Sequence, residues 1–247
     1  MDETKARSIT YAAVALILAL GLIISFAIAT NGFVKVKGTE NSITVTGSAK
    51  KQIKSDLIVW DGTFSTNSPS MSDAYKQLTA SREKVKNYLK NQGVNNSEIV
   101  YSSINTNIIN QLLPNGSYSN TIDHYQLTQT VSIRSKDVEK ITELSRQATD
   151  LINEGVELQS MPPQYFYTKI ADLKVEMLAQ ATKDARTRAE QICDAAGSNV
   201  GGLRNAKMGV IQITPLYSTE TSDSGVNDTS SLDKEITAVI SCQFEIK

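Results

Sequence analysis

The sequence predicts an α+β protein preceded by a transmembrane helix, and three observations carry that reading. Residues 8–32 hold no charged side chain, and residues 9–30 are apolar almost throughout. Beyond residue 41, stretches with a period of two alternate with stretches at helical spacing, in the order strand, helix, strand, strand, helix, strand. A longer helical pattern and two more strand-like runs complete the chain.

The apolar run comes first. At a rise of about 1.5 Å per residue it spans roughly 30 Å, the thickness of a bilayer's hydrocarbon core. Tyr11 and Phe33 flank it as interfacial aromatics would. It offers no polar face, as a water-soluble helix would. A secretory signal peptide is the rival reading, and Ala27-Ile28-Ala29 fits its small-x-small cleavage pattern. Cleavable signals, however, have apolar regions of only about 7–15 residues. The expected organisation is a short tail at residues 1–8, an anchor at 9–30, a linker at 31–41 and one extracytoplasmic domain at 42–247. Flanking lysines lie on both sides of the anchor, but long domains translocate largely regardless of charge.

Residues 43–47 and 57–64 alternate as strands, with a turn cluster at 65–69. Ser72-Asp73 can cap a helix carrying Ala74, Leu78, Val85, Tyr88 and Leu89 on one face, stopped by Gly93. Residues 99–109 form a strand with Val100, Ser102, Ile104, Thr106 and Ile108 on one face. A hairpin-type loop at 113–117 returns the chain into a strand at 125–133 with Tyr125, Leu127, Gln129, Val131 and Ile133 aligned. Asp137 opens a second helix, buried through Val138, Ile141, Leu144, Ala148, Leu151 and Ile152. Residues 156–167 are extended and bent at Met161-Pro162-Pro163. This order is the ferredoxin-like split βαβ arrangement, which implies an antiparallel sheet with helices on one face.

The third helix, residues 168–196, carries a narrow stripe of Ile170, Leu173, Met177, Leu178, Ala181, Ala185, Ala189 and Ile192, with Gly197 as its cap. Antiparallel C-terminal strands follow at 204–215 and 236–246. Between them residues 217–233, rich in Ser, Thr, Asp and Asn, read as a mobile loop.

Composition excludes several function classes. The 247 residues are 40% hydrophobic and 21% charged, which describes a folded chain with a substantial core. With 25 basic against 26 acidic residues there is no electrostatic footprint for nucleic acid. Cys193 and Cys242 cannot build a disulfide framework or a cysteine zinc site, although a single bridge between them stays open. The lone His124 excludes motifs that need two histidines. Nucleophile-elbow, phosphate-loop, dinucleotide and zinc-protease motifs are missing. Asp123 precedes His124 on an extended stretch, where neighbours point to opposite faces, so Asp123 is not expected to orient the imidazole. No catalytic, cofactor-binding or metal-binding residue is assigned.

Two stretches carry a family resemblance. Ile43-Thr44-Val45-Thr46-Gly47-Ser48-Ala49, followed by Asp56, looks like the opening of SIMPL-domain proteins. Asp184-Ala185-Arg186, Arg188-Ala189-Glu190 and Ala195-Ala196-Gly197 with Gly201-Gly202 are similar to that family's long-helix signature. Asn91-Gln92-Gly93-Val94 and Glu98-Ile99 fit the family's helix-to-strand junction. Ser55 stands where the family often has proline, and Val200-Gly201 where a Leu-Gly pair is expected. The resemblance implies an extracytoplasmic protein, anchored or secreted, like the YggE-like members. It further implies assembly into large oligomers in some members and a link to oxidative-stress protection in others, with no catalytic residues or cofactor to carry over.

The expectation is therefore a non-enzymatic protein that self-assembles into a homo-oligomer, held to the cell membrane by residues 9–30, through strand edges and the outer face of the long helix. The alternative is an envelope ligand- or partner-binding module using residues 161–167 and 217–233. A thiol-dependent antioxidant or a hydrolase is the enzymatic rival.

Overall fold

The computed structural model describes residues 16, 18–30 and 41–247. The tail at 1–8, most of the first part of the expected anchor and residues 31–40 of the expected 31–41 linker lie outside them. Residues 18–30 are helical (α1), and Leu18, Leu22, Ile23, Phe26 and Ile28 are all exposed. Among the described residues no helix is long and apolar enough to cross a membrane.

From residue 42 the protein is a mixed α/β structure with two antiparallel sheets. It divides into two compact units. One takes Ala49–Gln180 and Gly209–Val239; the other takes the chain up to Ser48, Ala181–Met208 and Ile240–Lys247. Three long elements contribute to both: β1 (Ser42–Lys54), α4 (Ile170–Ala195) and β10 (Asp233–Ile246).

The larger unit is built on β2 (Leu57–Ser68), α2 (Met71–Asn91), β3 (Ile99–Tyr101), β4 (Asn105–Leu112), β5 (Tyr118–Ser135), α3 (Val138–Gln147), β6 (Glu157–Ser160) and β7 (Gln164–Phe166). Its sheet runs β3-β5-β2-β6, with β4 added to β5 and β7 to β2. The two strands that lead into helices, β2 and β5, thus lie side by side at the centre. Strict alternation drives the packing. Ile58, Trp60 and Phe64 of β2 and Leu127, Val131 and Ile133 of β5 point to one face, and Leu78, Val85, Leu89, Ile141, Leu144 and Leu151 cover them. Each such side chain contributes about 1.5–3 kcal/mol on burial. The Trp60 indole N–H donates to Ser160 Oγ at 3.0 Å, and that hydroxyl donates to the Ser145 carbonyl at 2.9 Å.

Local signals set the ends of the helices. Ser70, two residues before the expected Ser72-Asp73 cap, accepts from the Asp73 amide and opens α2. Gly93 ends it at φ +70°, a conformation that favours glycine. Asp137 caps α3 as expected, but the helix tightens into a 3₁₀ turn at Ala148–Ile152.

Several expectations shift. The strand expected at 99–109 is two strands, and its inward residues are Ile99 and Tyr101, while Val100 is exposed. A one-residue change of register reverses the faces of a strand. The prolines at 162 and 163 divide the 156–167 segment into β6 and β7, since proline cannot donate to a ladder. The strand expected at 204–215 is likewise two: β8 (Val200–Met208) and β9 (Gln212–Pro215).

In the smaller unit β8 pairs with the second half of β10, with Ser241 opposite Lys207 and Cys242 opposite Ala206. The second half of α4 presents Ala181, Ala185, Ala189 and Cys193, all at most 2% exposed. Ile192, expected in that stripe, is exposed, because Cys193 continues the Ala185–Ala189 spacing of four. Gly47 permits the approach of this helix: a Cβ there would lie 2.1 Å from the Ala181 carbonyl oxygen. The Ser48 amide donates to Asp184 at 2.8 Å, and Arg188 pairs with the same carboxylate at 2.8 Å.

Candidate functional site

Two places in the larger unit stand apart from ordinary packing. The first is the hairpin arm made by β4 and the first half of β5. The Pro114-Asn115-Gly116 turn closes it. Gly116 takes φ +82°, and Asn115 accepts from the Ser117 amide at 3.0 Å. Ile108, Leu112, Leu113, Tyr118 and Ile122 are exposed along it. Among the described residues β4 pairs only with β5, which leaves its outer edge unpaired by them. Exposed strand edges in natural proteins usually carry charges, especially lysine, to block unwanted pairing. Here the sequence between Tyr101 and Arg134 holds no Lys, Arg or Glu, in a chain that is 21% charged. Its single acidic residue is Asp123, and His124 follows it.

These two residues overturn one expectation. His124 lies inside β5, and its Nδ1 is 2.8 Å from the Asp123 carboxylate. The reason is a bulge. Ile109 faces His124 and Asn110 faces Ile122, which leaves Asp123 as an extra residue on β5. A bulge rotates a side chain out of strict alternation, so neighbours that would diverge on a regular strand meet.

The second place is a cavity of about 120 Å³ lined by Tyr165, Phe166, Tyr167, Ile170, Ile213, Asn227, Asp228, Thr229 and Lys234. Residues 161–167 and 217–233, singled out separately in the sequence, meet here. The Tyr165 amide donates to the Thr229 carbonyl at 2.8 Å, the Ile213 amide to Val226 at 2.8 Å and the Asp228 amide to Ile213 at 2.9 Å. The Gln212 side chain holds Ser222 and Val226. The segment expected to be a mobile loop is therefore a strap fastened along its second half.

Lys234 fastens it as well. Only 2% exposed, it donates to the carbonyls of Tyr165 and Asp228 and lies 3.5 Å from the Asp228 carboxylate. Burial lowers its pKa, and the Asp228 charge opposes that shift. For Asp228, burial raises the pKa, but hydrogen bonds from Ser230 and Ser231 together with Lys234 outweigh it and hold the carboxyl below the usual range. Sequence reading missed Lys234. The signal was present, because it occupies the inward phase of β10 with Ile236, Ala238, Ile240 and Cys242.

A family model described as SIMPL, protein of unknown function (DUF541), matches residues 43–244. The chain belongs to the SIMPL family. No curated protein matches it. The SIMPL match takes in both sheets and leaves α1 outside.

The residues that carried the resemblance have structural work in this SIMPL protein. Gly47 and Ser48 of β1 meet Ala185 and Asp184 of α4, so the two motifs are halves of one contact. Asp56 accepts from the Thr168 amide and hydroxyl, both at 2.7 Å, just before α4 begins. Ser55 uses its amide to bond the Leu232 carbonyl at 2.9 Å, a bond proline could not make. Cys193 and Cys242 are both buried free thiols, and burial raises the pKa of Cys242, away from the reactive thiolate. Among the described residues no three His, Cys, Asp or Glu side chains gather to hold a metal ion.

Proposed function

We propose that this SIMPL protein is a non-enzymatic, extracytoplasmic protein anchored by residues 9–30, which assembles with copies of itself to protect the envelope under stress. The observation that supports assembly is the β4–β5 arm: a strand edge that no described residue pairs, exposed Ile, Leu and Tyr side chains, and almost no charge. Interface centres are depleted in charge and enriched in aromatics. An unpaired strand edge is a ready template for pairing with another chain, a second copy included. The exposed leucines, isoleucines and phenylalanine of α1 support the anchor.

The test is the mass of the full-length protein in detergent, by size exclusion with light scattering. A discrete assembly is expected, falling to monomer when Ile108→Lys and Leu112→Lys are combined. Wild-type protein that stays monomeric at high concentration, with and without residues 1–30, would remove the reading. A second reading, an envelope ligand- or partner-binding module, is favoured by the meeting of residues 161–167 and 217–233 around one cavity. Selective loss of a captured envelope protein on Asn227→Ala with Thr229→Ala would support it.

A further inference from the structure

We infer that the cavity at Lys234 binds a small neutral molecule, which offers a carbonyl oxygen to the lysine and packs a compact apolar body against Phe166, Tyr167, Ile170 and Ile213. The inference rests on the second reading above, a ligand-binding module, and names the chemical class of its ligand. Lys234 supplies the first argument. It is 2% exposed and forms part of the cavity's wall. An ammonium has three N–H donors. Two go to the carbonyls of Tyr165 and Asp228. The nearest charge, the Asp228 carboxylate, lies at 3.5 Å, beyond the usual range of a hydrogen bond. One donor of a buried ammonium is thus poorly satisfied beside the cavity. A buried donor without a good acceptor is costly, and an acceptor brought to it in a dry site gains more than it would in water.

The charges in the wall decide the kind of acceptor. Lys234 and Asp228 already balance each other. A ligand carboxylate would bring a second negative charge beside Asp228, whose side chain is 8% exposed, and solvent ions screen such a buried contact poorly. A ligand ammonium would meet Lys234 in the same way. A ketone, ester or amide oxygen accepts the spare N–H and adds no charge.

The remaining walls decide the body. Phe166, Tyr167, Ile170 and Ile213 offer aromatic and aliphatic surface, while the strap adds the amide of Asn227 and the hydroxyl of Thr229. A mostly apolar lining with a few placed polar groups is the make-up of small-molecule sites. The volume of about 120 Å³ sets the size. An apolar cavity of about 150 Å³ takes benzene, so this one encloses a body of about six non-hydrogen atoms. A nucleotide or a long acyl chain is too large to be enclosed. The walls are also fixed in advance. The Tyr165 amide bonds the Thr229 carbonyl at 2.8 Å and the Asp228 amide bonds the Ile213 carbonyl at 2.9 Å, so the ligand is spared the cost of ordering them.

The experiment follows thermal unfolding of full-length protein in detergent by Trp60 fluorescence, with rising concentrations of cyclopentanone, cyclopentanecarboxylate or cyclopentylamine. The three probes share one ring and differ in charge. For wild type, cyclopentanone should raise the melting temperature by about 3–6 °C at ten times its dissociation constant. The carboxylate and the amine should need at least about tenfold higher concentration for the same shift. Lys234→Met should weaken the ketone effect by about tenfold. Ile170→Phe keeps the lysine and fills the cavity, so it should melt like wild type and lose the ketone effect. A ketone shift that is equal in wild type, Lys234→Met and Ile170→Phe arises elsewhere and overturns the inference. If Lys234→Met does not fold, Ile170→Phe alone decides this point. A larger shift with the carboxylate or the amine overturns the proposed class and leaves the ligand-binding reading intact. No shift with any probe means that the cavity holds water alone, and then the reading of this cavity as a small-ligand site falls as well.

Discussion

Removing the Asp228 carboxylate with Asp228→Ala should weaken the larger unit more than any loss of packing would suggest. Lys234 would remain with its ammonium 2% exposed and two carbonyl acceptors, without a counter-charge. Breaking a buried ion pair from one side costs about 3–5 kcal/mol. The two surviving acceptors place the expected loss near the lower end, about 3 kcal/mol. The variant also loses the carboxylate that Ser230 and Ser231 hold, so the strap should open and admit protease. Lys234→Met removes the ammonium instead and leaves an alkyl stem of similar size, at an expected cost of about 1–3 kcal/mol. The decisive comparison is the double variant. If the pair is the reason for the cost, the double variant should be more stable than the sum of the singles by about 2 kcal/mol. Trp60 is the sole tryptophan, 1% exposed in the same unit, so its fluorescence reports urea unfolding directly. An Asp228→Ala protein within about 0.5 kcal/mol of wild type, or strictly additive singles, would refute the reasoning.

Two further outcomes follow from the same geometry. Because the folded Asp228 carboxyl is held below its usual range, its stabilisation is complete above the unfolded value of about 3.9. It is then lost as pH falls through the lower folded value, so urea midpoints of wild type should drop steeply on that acid limb and those of Asp228→Asn less so. Gly47→Ala should destabilise the smaller unit by about 1–3 kcal/mol or more, since the new methyl meets the Ala181 carbonyl and Ala185 backbone rather than a side chain that can move. Thermal melting checks this; a melting temperature unchanged from wild type would mean that β1 and α4 are not pressed together at this point.

Much of the larger unit was legible because its sequence speaks in clean periods. Tyr125, Leu127, Gln129, Val131 and Ile133 alternate without a break, and all of them face or adjoin the core. Asp137 and Gly93 announce helix ends through chemistry that acts within a few residues. The face of residues 99–101 was misjudged because Ile99, Val100 and Tyr101 are all suited to a strand core, so neither phase stood out. The Asp123–His124 contact was hidden because a bulge is a property of two strands together, and the mismatch between 109–110 and 122–124 appears only when they are aligned. The strap was misjudged for a similar reason. Its Ser and Asp residues are typical of free loops, and the bonds that fasten it come from Gln212, Ile213, Tyr165 and Lys234, distant or opposite in the chain.

The pairing of β1 with β10 also sets a timetable. The Gln243 side chain reaches Ser42 Oγ at 2.8 Å across 201 residues of sequence, and the Ile246 amide closes onto the Asn41 carbonyl. Contacts that distant form slowly, because the loop must close before they reward it. The β2–β5 pair and its helices can settle while later residues are still arriving, yet β1 must wait, with an unsatisfied edge, until β10 exists to receive it. Until then that waiting strand is an open edge, and so the part of the domain most exposed to pairing with the wrong chain.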